Sequence, residues 1–139
     1  MLGSTHLLFS FLFGSFLLSY LHVGGWVGRI IFAALLLIGT FLPDADLHMP
    51  GVKHRGIFHT IWPIILILVA NFFLTKYLPF SIAALAIGYG SHLIADSMTP
   101  FGIAPLHPLS KFEIKGPIKT GGIVEHILAA IILAYLLVR

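Results

Sequence analysis

The chain has no cysteine, which excludes disulfides and thiolate metal ligands alike. Charge is scarce too. Asp, Glu, Lys and Arg make up 9% of the 139 residues, where a soluble domain carries about 25%. The net charge is only +3, with no basic run long enough to hold nucleic acid. Polar and apolar residues do not alternate with a period of two, which excludes a membrane β-barrel. No internal repeat or low-complexity segment is visible. A cleavable leader is not expected: the first apolar run, 7–21, has no basic residue before it and no small-x-small site after it. It reads as a retained span.

What the chain does have is apolar length. Hydrophobic residues make up 58%, and the mean hydropathy is +1.03. A membrane helix needs about 20 apolar residues, with a range of roughly 17–25. Five runs come close to that: 5–22, 26–43, 57–76, 80–98 and 122–138. The breaks between them have causes in the backbone. Val23-Gly24-Gly25 is a tight turn. Pro79 and Pro100 cannot continue a helix. The connection 100–121 is rich in Pro and Gly and reads as a loop. Trp26, Trp62 and Tyr77 sit near run ends, where amphipathic rings favour the headgroup region. The expected fold is all-α: an integral membrane protein forming a bundle of about five transmembrane helices, as one domain over 1–139. Five spans make a thin bundle, which leaves room for a homodimer.

Ionisable residues are expensive in such a chain, so where they stand is informative. The segment 42–59 holds Asp44, Asp46, His48, Lys53, His54, Arg55 and His59. Threading five spans through a bilayer brings the N-terminus, the 44–56 loop and the 99–121 loop to one face. All five acidic residues and seven of the eight His then lie on or near that face, with His22 alone on the other. The same end gathers His6, Asp44, Asp46, His54, His59, His92, Asp96, His107, Glu125 and His126. Helical phase agrees. His92 and Asp96 are four apart and share a face, and the row runs upstream to Gly88 and Ala84. His6 heads a row with Ser10 and Gly14. Small residues mark the face of a membrane helix that packs on other helices, so these groups point into the bundle. Five Lys and Arg lie on the His-rich face and three on the other, which puts the site face in the cytoplasm.

Carboxylates beside imidazoles are ligands for a hard or borderline divalent metal. The expected ligands are His6, Asp44, His59, His92 and Asp96. Asp46 reads either as a ligand or as the carboxylate that orients a ligating His. Plainer readings stand beside these: interfacial carboxylates in water, a basic loop on anionic lipid, and a hydrogen-bonded His92–Asp96 pair. Glu125 and His126 are about 100° apart on a helix, so one can face the site while the other does not.

The residues that carry a family resemblance are His6, then Leu42-Pro43-Asp44-Ala45-Asp46, then His54-Arg55-Gly56-Ile57-Phe58-His59. Gly88-Tyr89-Gly90-Ser91-His92-Leu93-Ile94-Ala95-Asp96 and Thr99-Pro100-Phe101-Gly102-Ile103 follow. This pattern resembles the YdjM family, described as LexA-binding, inner-membrane-associated metal-dependent hydrolases, and covers most of the chain. The ligand order is also similar to that of the zinc phospholipase C and P1 nuclease superfamily, all-helical phosphoesterases with three zinc ions. That resemblance implies Asp44, His59, His92 and Asp96 around one zinc, with His6 joining Asp96 at another. The superfamily's second His-x-x-x-Asp/Glu pair has no counterpart here. The implied cofactor is one to three zinc ions, with manganese or another divalent metal as the alternative.

The expected activity is hydrolysis of a lipid or lipid-like phosphoester at the cell (inner or plasma) membrane, with membrane lipid as the natural partner. Water activated by the metal is the nucleophile. Arg55, helped by Lys53, balances the developing charge, and Asp46, His54 or Glu125 carries the leaving-group proton. Two other classes stay open. A metal or proton transporter needs polar residues continuing to the far face, where only His22, Ser and Gly lie. A scaffold with a structural metal needs a closed ligand shell.

Overall fold

The computed structural model describes residues 1–21, 23–48, 56–74 and 81–138. Among these are five α-helices in order: α1 (Gly3–Leu18), α2 (Gly25–Phe41), α3 (Trp62–Leu74), α4 (Ser81–Ser97) and α5 (Ile123–Val138). Two short 3-10 helices, Leu42–His48 and Ile57–His59, lie between α2 and α3. Lys53, His54 and Arg55 from the motif lie outside the described residues, as does His22.

Helix α4 is the centre. It packs on α1, α2 and α3, while α5 lies on α1. The α2–α4 contact is backbone to backbone. A Cβ at Gly88 would overlap the Leu36 carbonyl and the Thr40 amide, and one at Gly39 would overlap the Leu85 carbonyl. Small residues allow this approach. Ala84 is fully buried on the same row, and His92 and Asp96 are buried further along it. The expected inward row of α4 is therefore present.

The outer faces are apolar. No residue of α3 is buried, and its Phe72 and Phe73 are 80% and 71% exposed. In α5 only Glu125 and Ile132 are buried. A surface helix in water would turn polar residues outward; these helices turn Leu, Ile, Val and Phe outward.

The lengths correct the expectation of five full spans. Among the described residues, one helical stretch, Gly25–Asp46, is long and apolar enough to cross a membrane; α1, α3 and α5 are shorter apolar helices. The helices stop early for identifiable reasons. Pro43 has no N–H to offer the Gly39 carbonyl, so α2 tightens into the 3-10 helix that carries Asp44 and Asp46. The expected 57–76 run does not start as an α-helix. Residues 57–59 form a 3-10 turn, Thr60 is extended, and Pro63 lies in the first turn of α3, where a missing N–H costs little.

Two side chains fasten this region. The Tyr89 hydroxyl on α4 donates to the Phe58 carbonyl, which pins the turn that presents His59. Trp62 Nε1 donates to the His107 carbonyl at 2.8 Å. Residues 98–118 fold back on themselves: Ile103 and Ile114 exchange both main-chain hydrogen bonds, and Ile118 N–H donates to the Met98 carbonyl. Tyr89→Phe leaves the Phe58 carbonyl without this donor and costs about 1–3 kcal/mol. Thermal unfolding in detergent reads this as a lower midpoint; an unchanged midpoint means that the bond contributes nothing.

Candidate metal centre

Four elements deliver the site. Helix α1 brings His6, the first 3-10 helix brings Asp44 and Asp46, the second brings His59, and α4 brings His92 and Asp96. Asp46, His59, His92, Asp96 and His6 are buried. Asp44 is the most open, with its side chain 35% exposed, so it marks the mouth.

Four atoms converge. His59 Nε2 lies 3.6 Å from Asp44 Oδ1 and 3.6 Å from Asp96 Oδ2. His92 Nε2 lies 3.5 Å from Asp44 Oδ1 and 3.7 Å from Asp96 Oδ2. These distances are too long for hydrogen bonds. A tetrahedral ion with bonds of about 2.1 Å holds its ligand atoms about 3.4 Å apart. Each of these nitrogen–oxygen spacings is close to that between two ligands of one small divalent cation.

The donor chemistry points the same way. His92 Nδ1 lies 2.8 Å from the Thr40 carbonyl. A carbonyl only accepts, so Nδ1 carries the hydrogen, and in the neutral ring Nε2 offers a lone pair. That lone pair faces two carboxylate oxygens, all acceptors, in a buried place. His92 Nε2 has no hydrogen-bond partner among the described residues. Burying acceptors against acceptors is costly without a shared cation.

Asp96 serves two groups. Its Oδ2 faces His59 and His92, while its Oδ1 lies 3.4 Å from His6 Nε2 and 2.8 Å from the Met1 amino group. The His6 and His92 rings stack, with centroids 3.9 Å apart and 8° between planes. Two metal-type groups result: Asp44 with His59 and His92, and His6 with His92 and Asp96. All five residues expected as ligands are therefore brought together.

Asp46 stands behind this shell. Its Oδ2 lies 3.7 Å from His59 Nδ1, the ring nitrogen turned away from Asp44. A carboxylate on that side is placed to orient the ring and raise its basicity once the two close to hydrogen-bond distance. Asp46→Asn should weaken metal affinity by about 10–100-fold while the helical circular dichroism stays unchanged. Isothermal titration with zinc measures this, and equal affinity would remove Asp46 from the site.

Glu125, His107 and His126 are not in these groups. Both Glu125 oxygens accept backbone hydrogen bonds, from Leu2 N–H at 2.7 Å and from Gly121 N–H at 2.6 Å. It ties the starts of α1 and α5 together. As the third residue of α5 it has the position of a capping carboxylate, a signal present in the sequence. His126 is exposed with Nδ1 on the Gly122 carbonyl, and His107 is exposed in the 98–118 segment. Side-chain reasoning also missed the Met1 amino group and the Thr40 carbonyl.

Fold and site together define an all-α chain with apolar outer faces and a buried His/Asp cluster of metal-ligand type. The family model for YdjM inner membrane proteins matches residues 1–139, and the chain belongs to that family. Comparison with curated proteins and with solved structures returns no match.

Proposed function

We propose that this protein is a metal-dependent hydrolase of the inner membrane that cleaves phosphoesters of lipid or lipid-like substrates. The observation that carries the reading is that His59 Nε2 and His92 Nε2 each lie 3.5–3.7 Å from a carboxylate oxygen of Asp44 and one of Asp96, in two overlapping metal-type groups. Zinc fits such N and O ligands best among common metals without thiolates. When bound, a divalent ion supplies Lewis acidity, making water nucleophilic near neutral pH and polarising a phosphoryl oxygen.

The chain's own residues do the rest. Asp44 and Asp96 would supply the negative charge for the cation, and His59 and His92 the nitrogen ligands. Asp46 orients His59. The open edge of Asp44 admits the substrate, because the other five site residues are covered. The roles of Arg55 and His54, charge balance and proton transfer, rest on the sequence. In this reading the apolar outer faces of the helices meet lipid, and the site lies at one membrane face, at headgroup depth. That depth favours a phospholipid or polyprenyl-phosphate ester over a soluble metabolite.

The test is turnover of a panel of lipid phosphoesters by purified protein in bicelles, with zinc and with chelator. The expected result is zinc-dependent release of a headgroup or phosphate. No turnover of any member by metal-loaded protein overturns the hydrolase reading and leaves a metal-binding membrane protein.

A further inference from the structure

His92 is aimed from behind, and the residue that aims it is itself held. The Thr40 carbonyl takes the His92 Nδ1 hydrogen at 2.8 Å. Thr40 Oγ1 lies 2.6 Å from Ser10 Oγ and 2.8 Å from the Leu36 carbonyl of its own helix. Ser10 Oγ lies 2.6 Å from Ser91 Oγ, and Ser91 Oγ donates to the Gly88 carbonyl at 2.7 Å. All three residues are buried. Ser10 touches both other hydroxyls and is the hub.

Their placement matches that of the metal-type residues. Ser10 follows His6 by one turn on α1. Thr40 precedes Asp44 by four residues at the end of α2. Ser91 is next to His92 on α4. Each of these three helices therefore sends one hydroxyl to a common point near a metal-type residue on it or on the turn that follows it. Apolar side chains would pack the helices too, but dispersion contacts tolerate sliding. A hydroxyl–hydroxyl contact fixes distance and angle narrowly.

We propose that Ser10, Thr40 and Ser91 are positioning residues that lock the register of α1, α2 and α4. They thereby hold His92 in its Nδ1–H tautomer with Nε2 toward Asp44 and Asp96. The proposal rests on the metal reading for its effect on affinity, but not for its effect on the tautomer.

The experiment uses full-length protein in micelles as wild type, Ser10→Ala, Thr40→Val and the conservative Thr40→Ser. Nitrogen NMR of histidine-labelled, metal-free protein reads the His92 tautomer. Zinc competition against a chelator reads affinity, and the visible spectrum of the cobalt-loaded protein reads ligand geometry. Wild type and Thr40→Ser should hold the Nδ1–H form. Ser10→Ala and Thr40→Val should show mixed tautomers, zinc affinity about tenfold weaker and an altered cobalt spectrum. If both variants keep the wild-type tautomer, with wild-type affinity and spectrum, and lose only thermal stability, the hydroxyls merely pack helices and the proposal falls. If wild type binds no zinc, the metal reading fails, and the tautomer alone decides the proposal.

Discussion

Asp96→Asn should abolish metal binding and also lower the stability of the metal-free protein. Both Asp96 oxygens are used, Oδ2 toward His59 and His92 and Oδ1 toward His6 and the Met1 amino group. Losing even a residue that only orients a ligand costs about 10–100-fold in affinity, so losing the carboxylate shared by both groups should cost more than about 100-fold. The metal-free protein should lose stability too, because an amide leaves the buried Met1 amino group, 2.8 Å from Asp96 Oδ1, without its counter-charge. Zinc at about 100 times the wild-type Kd should add about 2.7 kcal/mol to wild type. The variant, bound at least 100-fold more weakly, should gain about 0.4 kcal/mol or less. Thermal unfolding with chelator and with zinc tests both halves. A variant that zinc stabilises as much as it does wild type takes Asp96 out of the site. A variant as stable as wild type in chelator would mean that the Met1–Asp96 pair contributes nothing.

Gly88→Val should prevent the folded state from forming. The obstacle to a Cβ there is backbone, the Leu36 carbonyl and the Thr40 amide, and neither can rotate aside. Relief requires α2 and α4 to separate, which takes the Thr40 carbonyl from His92 and Asp44 from its partners. Overpacking costs about 1–3 kcal/mol where side chains can adjust, and backbone against backbone sits at or above the upper end. Gly88→Ala should already lower yield and midpoint. Gly90→Ala is the control on the same helix: its Cβ would meet only the Ile64 Cδ1 tip, at 3.9 Å. Size-exclusion profiles in detergent separate the three. A monodisperse, wild-type-like Gly88→Val would mean that the α2–α4 contact is looser than the structure has it.

The cluster was legible because ionisable groups stand out in an apolar chain. His92 and Asp96 share a helical row with Gly88 and Ala84, and that row faces inward as its small residues indicated. Parity of the five apolar runs carried His6 and Asp44 to the same end. The helix ends were harder to read. Pro43 and Pro63 were plain to see, but a proline says where a helix cannot continue, not where it resumes. The shift from 57 to Trp62 depends on Tyr89 holding Phe58 and on the Pro105 carbonyl accepting from Ile61 N–H at 2.9 Å. Main-chain groups leave no side-chain trace, which hid the Thr40 carbonyl behind His92. Glu125 looked like a member of the site because it is acidic and adjoins His126. Its carboxylate instead meets the amides of Leu2 and Gly121.

The most direct test of the central claim is the metal content of the wild-type protein. It is to be purified without a metal-affinity column, exchanged to remove loosely held ions, and measured by elemental analysis beside Asp96→Ala. Wild type should hold at least one zinc or manganese per chain, and the variant none. Metal-free, well-folded wild type that stays metal-free after reloading would contradict it, and the buried His and Asp residues would then be a hydrogen-bonded or proton-carrying network.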